Sequence, residues 1–198
     1  MPESSRRSMG RLVLLNGPSS VGKSTAARAF ADAQATPWLV LPVDLFHAQR
    51  SRPDLTVPQH CSMTEGDWQT VLHQTRAAYH RALAGAAAAG MDVVGDHVLN
   101  EPWRLVDLLD VTQGLDVFLV HLRADLDTLE RRERERGDRQ VGTARIQQNL
   151  VYDHVDCDLE LDTTRRGPLD LASAITALMT SPPRSRAFDR LRTRQPRG

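Results

Sequence analysis

The sequence is poor in cysteine. Its 198 residues hold two, Cys61 and Cys157. Their wide separation excludes a disulfide framework, and no zinc-ligand spacing surrounds either one. Both thiols are read as reduced, which points to a cytoplasmic home. Excess charge of either sign is also lacking, since Lys+Arg and Asp+Glu balance at 25 each. That removes any global argument for nucleic acid or an anionic membrane surface as partner. Long hydrophobic runs are missing too. Nothing approaches the roughly 18 apolar residues of a spanning helix, and the Leu12–Leu15 stretch after Arg6 and Arg7 is too short for a signal-peptide core. No internal repeat is seen. What remains is ordinary for a globular domain, 40% apolar and 25% charged, and long enough to bury a core without staples.

Along the chain, apolar runs alternate with helical patterns. Arg11–Leu15, Trp38–Val43, Met91–Val94 and Leu115–Leu122 read as buried strands, and Cys157–Leu161 reads as an edge strand. Helices are expected over Lys23–Ala35, Gly66–Gly90, Glu101–Asp110, Asp125–Arg136, Thr143–Tyr152 and Leu169–Met179. Residues 45–64, with Pro53 and Pro58, read as a long loop or a loop with a short helix, and loops of that length are usually functional. The order predicts an α/β three-layer sandwich with a largely parallel five-stranded sheet. The domain is placed at 11–180, after a flexible N-terminus at 1–10. From Ser181 the chain carries six arginines against one aspartate, with three prolines. It is expected to be a disordered basic tail.

The strongest motif is Gly17-Pro18-Ser19-Ser20-Val21-Gly22-Lys23-Ser24, followed by Thr25. It has the G-x-x-x-x-G-K-[ST] spacing, follows a strand and opens a helix, as a phosphate-binding loop must. Its backbone N–H groups converge on phosphate oxygens, aided by the helix N-terminus. Lys23 reaches the β- and γ-phosphates and Ser24 offers a hydroxyl to Mg²⁺. The cofactors implied are ATP and Mg²⁺. Asp44 ends the second strand, beside the loop, where a carboxylate can take a proton from an acceptor hydroxyl. Asp96 ends the third strand and is a candidate for Mg²⁺ or for acceptor binding, with His97 as a further contact. In the charged run 132–139, the glycine break at Gly137 singles out Arg136 and Arg139 as guanidinium groups for a phosphate-covering lid over about 132–150. The rest of the run reads as a solvated helix face. Trp68, Tyr79 and Trp103 are candidate pocket aromatics, though core packing is the commoner fate of such residues.

In order and spacing, these residues resemble the chloramphenicol phosphotransferase family. The resemblance rests on Gly17–Ser24, Pro37-Trp38 leading to Val43-Asp44, Asp96, Arg136-Gly137-Asp138-Arg139 and the Asp158–Thr164 segment, and spans most of 11–180. It implies a P-loop kinase-like fold and ATP-dependent phosphorylation of a hydroxyl on a small molecule, chloramphenicol or another antibiotic. It further implies Asp44 as catalytic base, Arg136 and Arg139 in the lid, and Thr163-Thr164 near the adenine. The sequence departs from the pattern at Tyr152, at His97 and across 45–64. Two other readings stay open. One is a P-loop kinase of a metabolite, nucleoside or sugar nucleotide, in the manner of a toxin. The other is a nucleotide-dependent binding module whose arginine tail meets nucleic acid or a partner.

Overall fold

The computed structural model describes residues 8–51, 64–136, 142–153 and 155–194. Five strands, β1 (Arg11–Asn16), β2 (Leu39–Pro42), β3 (Val93–His97), β4 (Asp116–Arg123) and β5 (Leu159–Asp162), form one sheet in the order β2-β3-β1-β4-β5. Every pairing is parallel. Parallel strands need crossovers, and helices supply them: α1 (Lys23–Asp32), α2 (Val43–Ala48), α3 (Glu65–Ala88), α4 (Pro102–Val111), α5 (Leu126–Arg136), α6 (Thr143–Leu150), α7 (Pro168–Thr180) and α8 (Ala187–Arg194).

The inner strands are apolar almost throughout because both their faces are covered. Alternate residues serve opposite layers. Leu12, Leu14, Val93, Val117 and Leu119 pack with α3, α4 and α8. Val13, Leu15, Val94, Phe118 and Val120 pack with α1, α5, α6 and α7. The result is the expected three-layer sandwich, with a sheet that is wholly parallel.

One close approach depends on glycine. A Cβ on Gly95 would lie 2.6 Å from Tyr79 Oη and 2.7 Å from Leu83 Cδ2. The missing side chain lets Tyr79 of α3 lie fully buried on the sheet. Its hydroxyl sits 2.9 Å from the Leu41 carbonyl and 2.8 Å from that of Asp96, bracing the ends of β2 and β3.

Two expectations change. Residues 187–194 are not a loose tail but helix α8, which buries Ala187, Phe188 and Leu191 against the sheet. Its arginines turn inward: Arg190 donates to Asp156 at 2.7 Å, and Arg192 to the Leu109 carbonyl at 3.1 and 3.0 Å. At the other end, residues 1–7 lie outside the described residues, while Gly10 is buried and donates its N–H to Ala87 O at 2.8 Å. Among the described residues, no helix is long and apolar enough to cross a membrane.

Candidate active site

At the C-terminal end of β1 the chain makes the phosphate-binding turn and enters α1. Gly22 has φ 96°, a left-handed value that glycine adopts without strain, and it is the N-cap of α1. Lys23 Nζ folds back onto the carbonyls of Gly17 and Pro18, at 2.8 and 2.7 Å. Ser20 to Thr25 line a cavity of about 340 Å³. Gly17, Pro18 and Ser19 form the turn beneath it. The Ser19 N–H donates to Gln147 Oε1 of α6 at 2.8 Å.

Asp96 joins the loop to the neighbouring strand. Its side chain is buried and accepts from Ser24 Oγ at 2.8 Å and from the Val43 N–H at 3.0 Å. The adjoining Asp44 is exposed and lines the same cavity. Asp44 lies not on the second strand but in the first turn of α2, because β2 ends at Pro42. Of the long loop expected at 45–64, the first part is thus helical, and residues 52–63, with Cys61, lie outside the described residues.

The opposite wall comes from α5. Arg136 lines the cavity, as does Arg132 one turn before it. Arg132 donates to Thr163 Oγ1 at 3.1 Å and to the Thr163 carbonyl at 2.8 Å, and Thr163 Oγ1 donates to the Val21 carbonyl at 2.8 Å. Arg166, Pro168 and Leu171 close the far end. Arg139 lies outside the described residues. The charged run is not a solvated face throughout. Glu133 is buried and accepts the N–H groups of Gly142 and Ala144, at 2.7 and 3.1 Å, tying α5 to α6. Sequence reasoning missed Arg132, Arg166 and Gln147. The four-residue spacing from Arg132 to Arg136, which puts both on one helix face, was the available signal for the first.

His97 is on the other face of β3, away from the cavity wall. It is fully buried, 2.6 Å from His80 Nε2 through its own Nε2. The Val98 N–H donates to His97 Nδ1 at 2.8 Å. Its proton therefore resides on Nε2, His80 accepts it, and His80 Nδ1 donates to Asp107 Oδ2 at 2.6 Å. Burial lowers the pKa of His80 to about 4 and holds that of His97 well below the usual value. The aromatics divide as well: Tyr79 is core, Trp68 is buried against Arg50, and Trp103 stacks on His73 at 3.9 Å between ring centres.

Ser24 and Asp96 together present a hydroxyl and a carboxylate, hard oxygen donors of the kind Mg²⁺ takes alongside phosphate oxygens. Residues 10–180 match the family described as chloramphenicol phosphotransferase-like protein. The chain belongs to this family. A family relative in Mycobacterium tuberculosis (strain H37Rv), provisionally named an O-phosphotransferase, is 34% identical over 200 residues, covering 93% of this chain and 89% of its own. Among solved structures, shikimate kinase from Acinetobacter baumannii superposes with TM-score 0.63 at 15% identity, over 90% of this chain and 97% of that one. The Mycobacterium tuberculosis APS kinase does so with TM-score 0.60 at 19% identity, over 87% and 99%. The fold is that of P-loop kinases. Family and architecture together make this member of the chloramphenicol phosphotransferase-like family a kinase-type phosphotransferase.

Proposed function

We propose that the chain transfers the γ-phosphoryl group of ATP to a hydroxyl on a small molecule, with Asp44 as general base. One observation carries this reading: an exposed carboxylate, Asp44, shares a single cavity with Lys23, Ser24 and the guanidinium groups of Arg132 and Arg136. The phosphate-binding loop and the arginines form an anion cradle. A carboxylate in such a cradle repels phosphate unless it holds a metal, as Asp96 would, or serves the incoming nucleophile, as Asp44 would.

In the transfer, the acceptor oxygen forms a bond to the γ-phosphorus and gives its proton to Asp44. The bond from that phosphorus to the β–γ bridging oxygen breaks, and ADP leaves. Lys23, Arg132 and Arg136 offset charge on the transferring group. Ser24 and Asp96 would hold Mg²⁺, which neutralises phosphate charge when bound. Helices α5 and α6 act as the lid that excludes water. Thr163, Pro168 and Leu171 receive the base. The family's description makes chloramphenicol the first acceptor to test, with resistance by modification as the consequence, and hydroxylated metabolites the second.

The test is turnover across a panel of hydroxylated antibiotics and metabolites, read as a product heavier by one phosphoryl group. Asp44→Asn is expected to lower kcat by about a hundredfold or more while ATP binding persists. Lys23→Ala loses both. Near-wild-type turnover by Asp44→Asn would place the base elsewhere.

A further inference from the structure

Beyond Asp44 and Val98, which line the cavity, three arginines stand on or next to helices that pack on one another, α3 lying against both α2 and α4. Arg50 follows α2, Arg76 lies within α3 and Arg104 stands in the first turn of α4. Arg104 is buried. It donates to the Val98 carbonyl at 2.8 Å and pairs with Glu101. Its Nε has no partner among the described residues. Arg50 lies 5.1 Å from the centre of the Trp68 ring, its Nε reaching the His47 carbonyl at 3.4 Å. One of its terminal nitrogens, Nη1, is buried and likewise unpartnered. Half-buried Arg76 makes no hydrogen bond or ion pair with the described residues, and Asp44 is the acid whose field it feels.

The cations act on one another. Burial, then the charge of Arg50, lowers the Arg76 pKa to about 10. Burial, then Arg76, lowers that of Arg104 to about 9. His47 adds no further positive charge, because burial, then Arg76 and Arg50, holds it neutral with a pKa of about 4. Glu101 answers Arg104, and burial lowers the pKa of Arg50 as well. Guanidinium groups that are drawn out of water beside like charges, with donors unmet, are destabilising unless an anion completes them. A planar fork beside a general base suits an anion carried by the molecule that the base deprotonates.

We propose that Arg50, Arg76 and Arg104 form a receptor for an anionic group on the phosphoryl acceptor, so that the acceptor is a hydroxylated carboxylate or phosphomonoester. This rests on the phosphotransferase reading above. It places chloramphenicol, which has no anionic group, among the neutral compounds that the site takes poorly.

The experiment assays the full chain with ATP and Mg²⁺ on hydroxylated compounds in matched pairs. One member carries a carboxylate or a phosphomonoester, and the other is its neutral amide or alcohol. ADP formation and product mass are read together. Transfer is expected to the anionic members, and the carboxylate and phosphate arms show which anion fits. Arg76→Gln should raise KM for the acceptor about tenfold or more and move KM for ATP by less than about twofold. Arg76→Lys should recover part of the loss, and Arg50→Gln should act in the same direction as Arg76→Gln. Efficient transfer to a neutral member, with KM unmoved by Arg76→Gln, overturns the anion receptor and leaves the phosphotransferase standing. If no compound is phosphorylated, sulfate is titrated calorimetrically into the full chain without nucleotide. Binding weakened about tenfold by Arg76→Gln but not by Lys23→Ala supports the receptor, and only the kinase reading fails. Binding that Arg76→Gln leaves unchanged, that Lys23→Ala abolishes, or that is absent in the wild type overturns the receptor.

Discussion

At the residue scale, Asp96 has two duties that can be separated. It accepts one bond from the Ser24 hydroxyl and one from the Val43 amide, and so fastens the phosphate loop to the start of the segment bearing Asp44. It also presents negative charge beside the cavity. In Asp96→Asn, the side-chain oxygen can keep the Val43 N–H and the NH₂ can donate to Ser24 Oγ, whose hydroxyl accepts as well as donates. The brace survives and the charge is lost. Turnover should fall by about a hundredfold, with a steeper demand for Mg²⁺. Stability to urea should change by less than about 1 kcal/mol. Asp96→Ala orphans the buried amide and should cost about 1–3 kcal/mol as well. Wild-type kinetics and Mg²⁺ dependence in Asp96→Asn would make the residue a brace alone. Asp96 was legible because a loop motif fixes what its neighbours must be. Arg132 was not. In a run of alternating arginine and glutamate every position before Arg136 reads as solvated, and only the fold of Thr163 onto Val21 gives Arg132 its acceptors.

The element scale is where the sequence reading met its main correction, at α8. Three prolines and six arginines after Ser181 suggested a chain unable to bury enough surface to order itself. Yet Ala187, Phe188 and Leu191 fall on one helical face, and that face meets β4 and α4. The arginines serve the packing. Arg192 donates to the Leu109 carbonyl and to Thr112 Oγ1, at the C-terminal end of α4 where helix carbonyls lack partners. Composition counts charges but cannot see a neighbouring helix end that needs donors. Phe188, 1% exposed, is the anchor. Phe188→Ala should therefore lower stability by about 3 kcal/mol or more, measured by urea unfolding. Because α8 packs on the layer remote from the phosphate loop, kcat should be unchanged at temperatures where the variant stays folded. A stability loss under about 1 kcal/mol would show that the helix is only loosely docked.

For the whole molecule, three layers could be read from the alternation of strands and helices, but not the strand order. Periodicity states which face of a strand is apolar and is silent on lateral neighbours. The same blindness hid the histidines, of which only His97 was singled out, as a further contact at the site, and which prove to share one condition. His80, His97 and His121 are buried, and His47 is partly so. Burial lowers the pKa values of His47, His80 and His121 to about 4 and holds that of His97 well below its usual value. An unfolded histidine has a pKa near 6.5. With folded values depressed, the unfolded chain binds more protons as the pH falls, so stability is fully present above about 6.5 and is lost on the way down to 4. Each fully buried histidine supplies up to about 3 kcal/mol of this loss. A few of them approach the ~5–15 kcal/mol stability of a typical domain. The carboxylates of Asp92 and Asp156, held below their usual range by hydrogen bonds from Arg11 and Arg190, lose their contributions only at lower pH. Unfolding between pH 6.5 and 4 should thus be steep and dominated by histidine. Urea titrations at steps from pH 7.5 to 4.5 measure it. His121→Phe is the sharpest variant, because His121 Nε2 is buried without a partner among the described residues and an apolar ring there forfeits no hydrogen bond to them from that atom. It should leave stability at pH 7 nearly unchanged and reduce the slope by as much as one proton. A wild-type profile that stays flat from pH 7 to 5 would mean that these histidines are charged in the folded protein, against the donor order running from Val98 to Asp107.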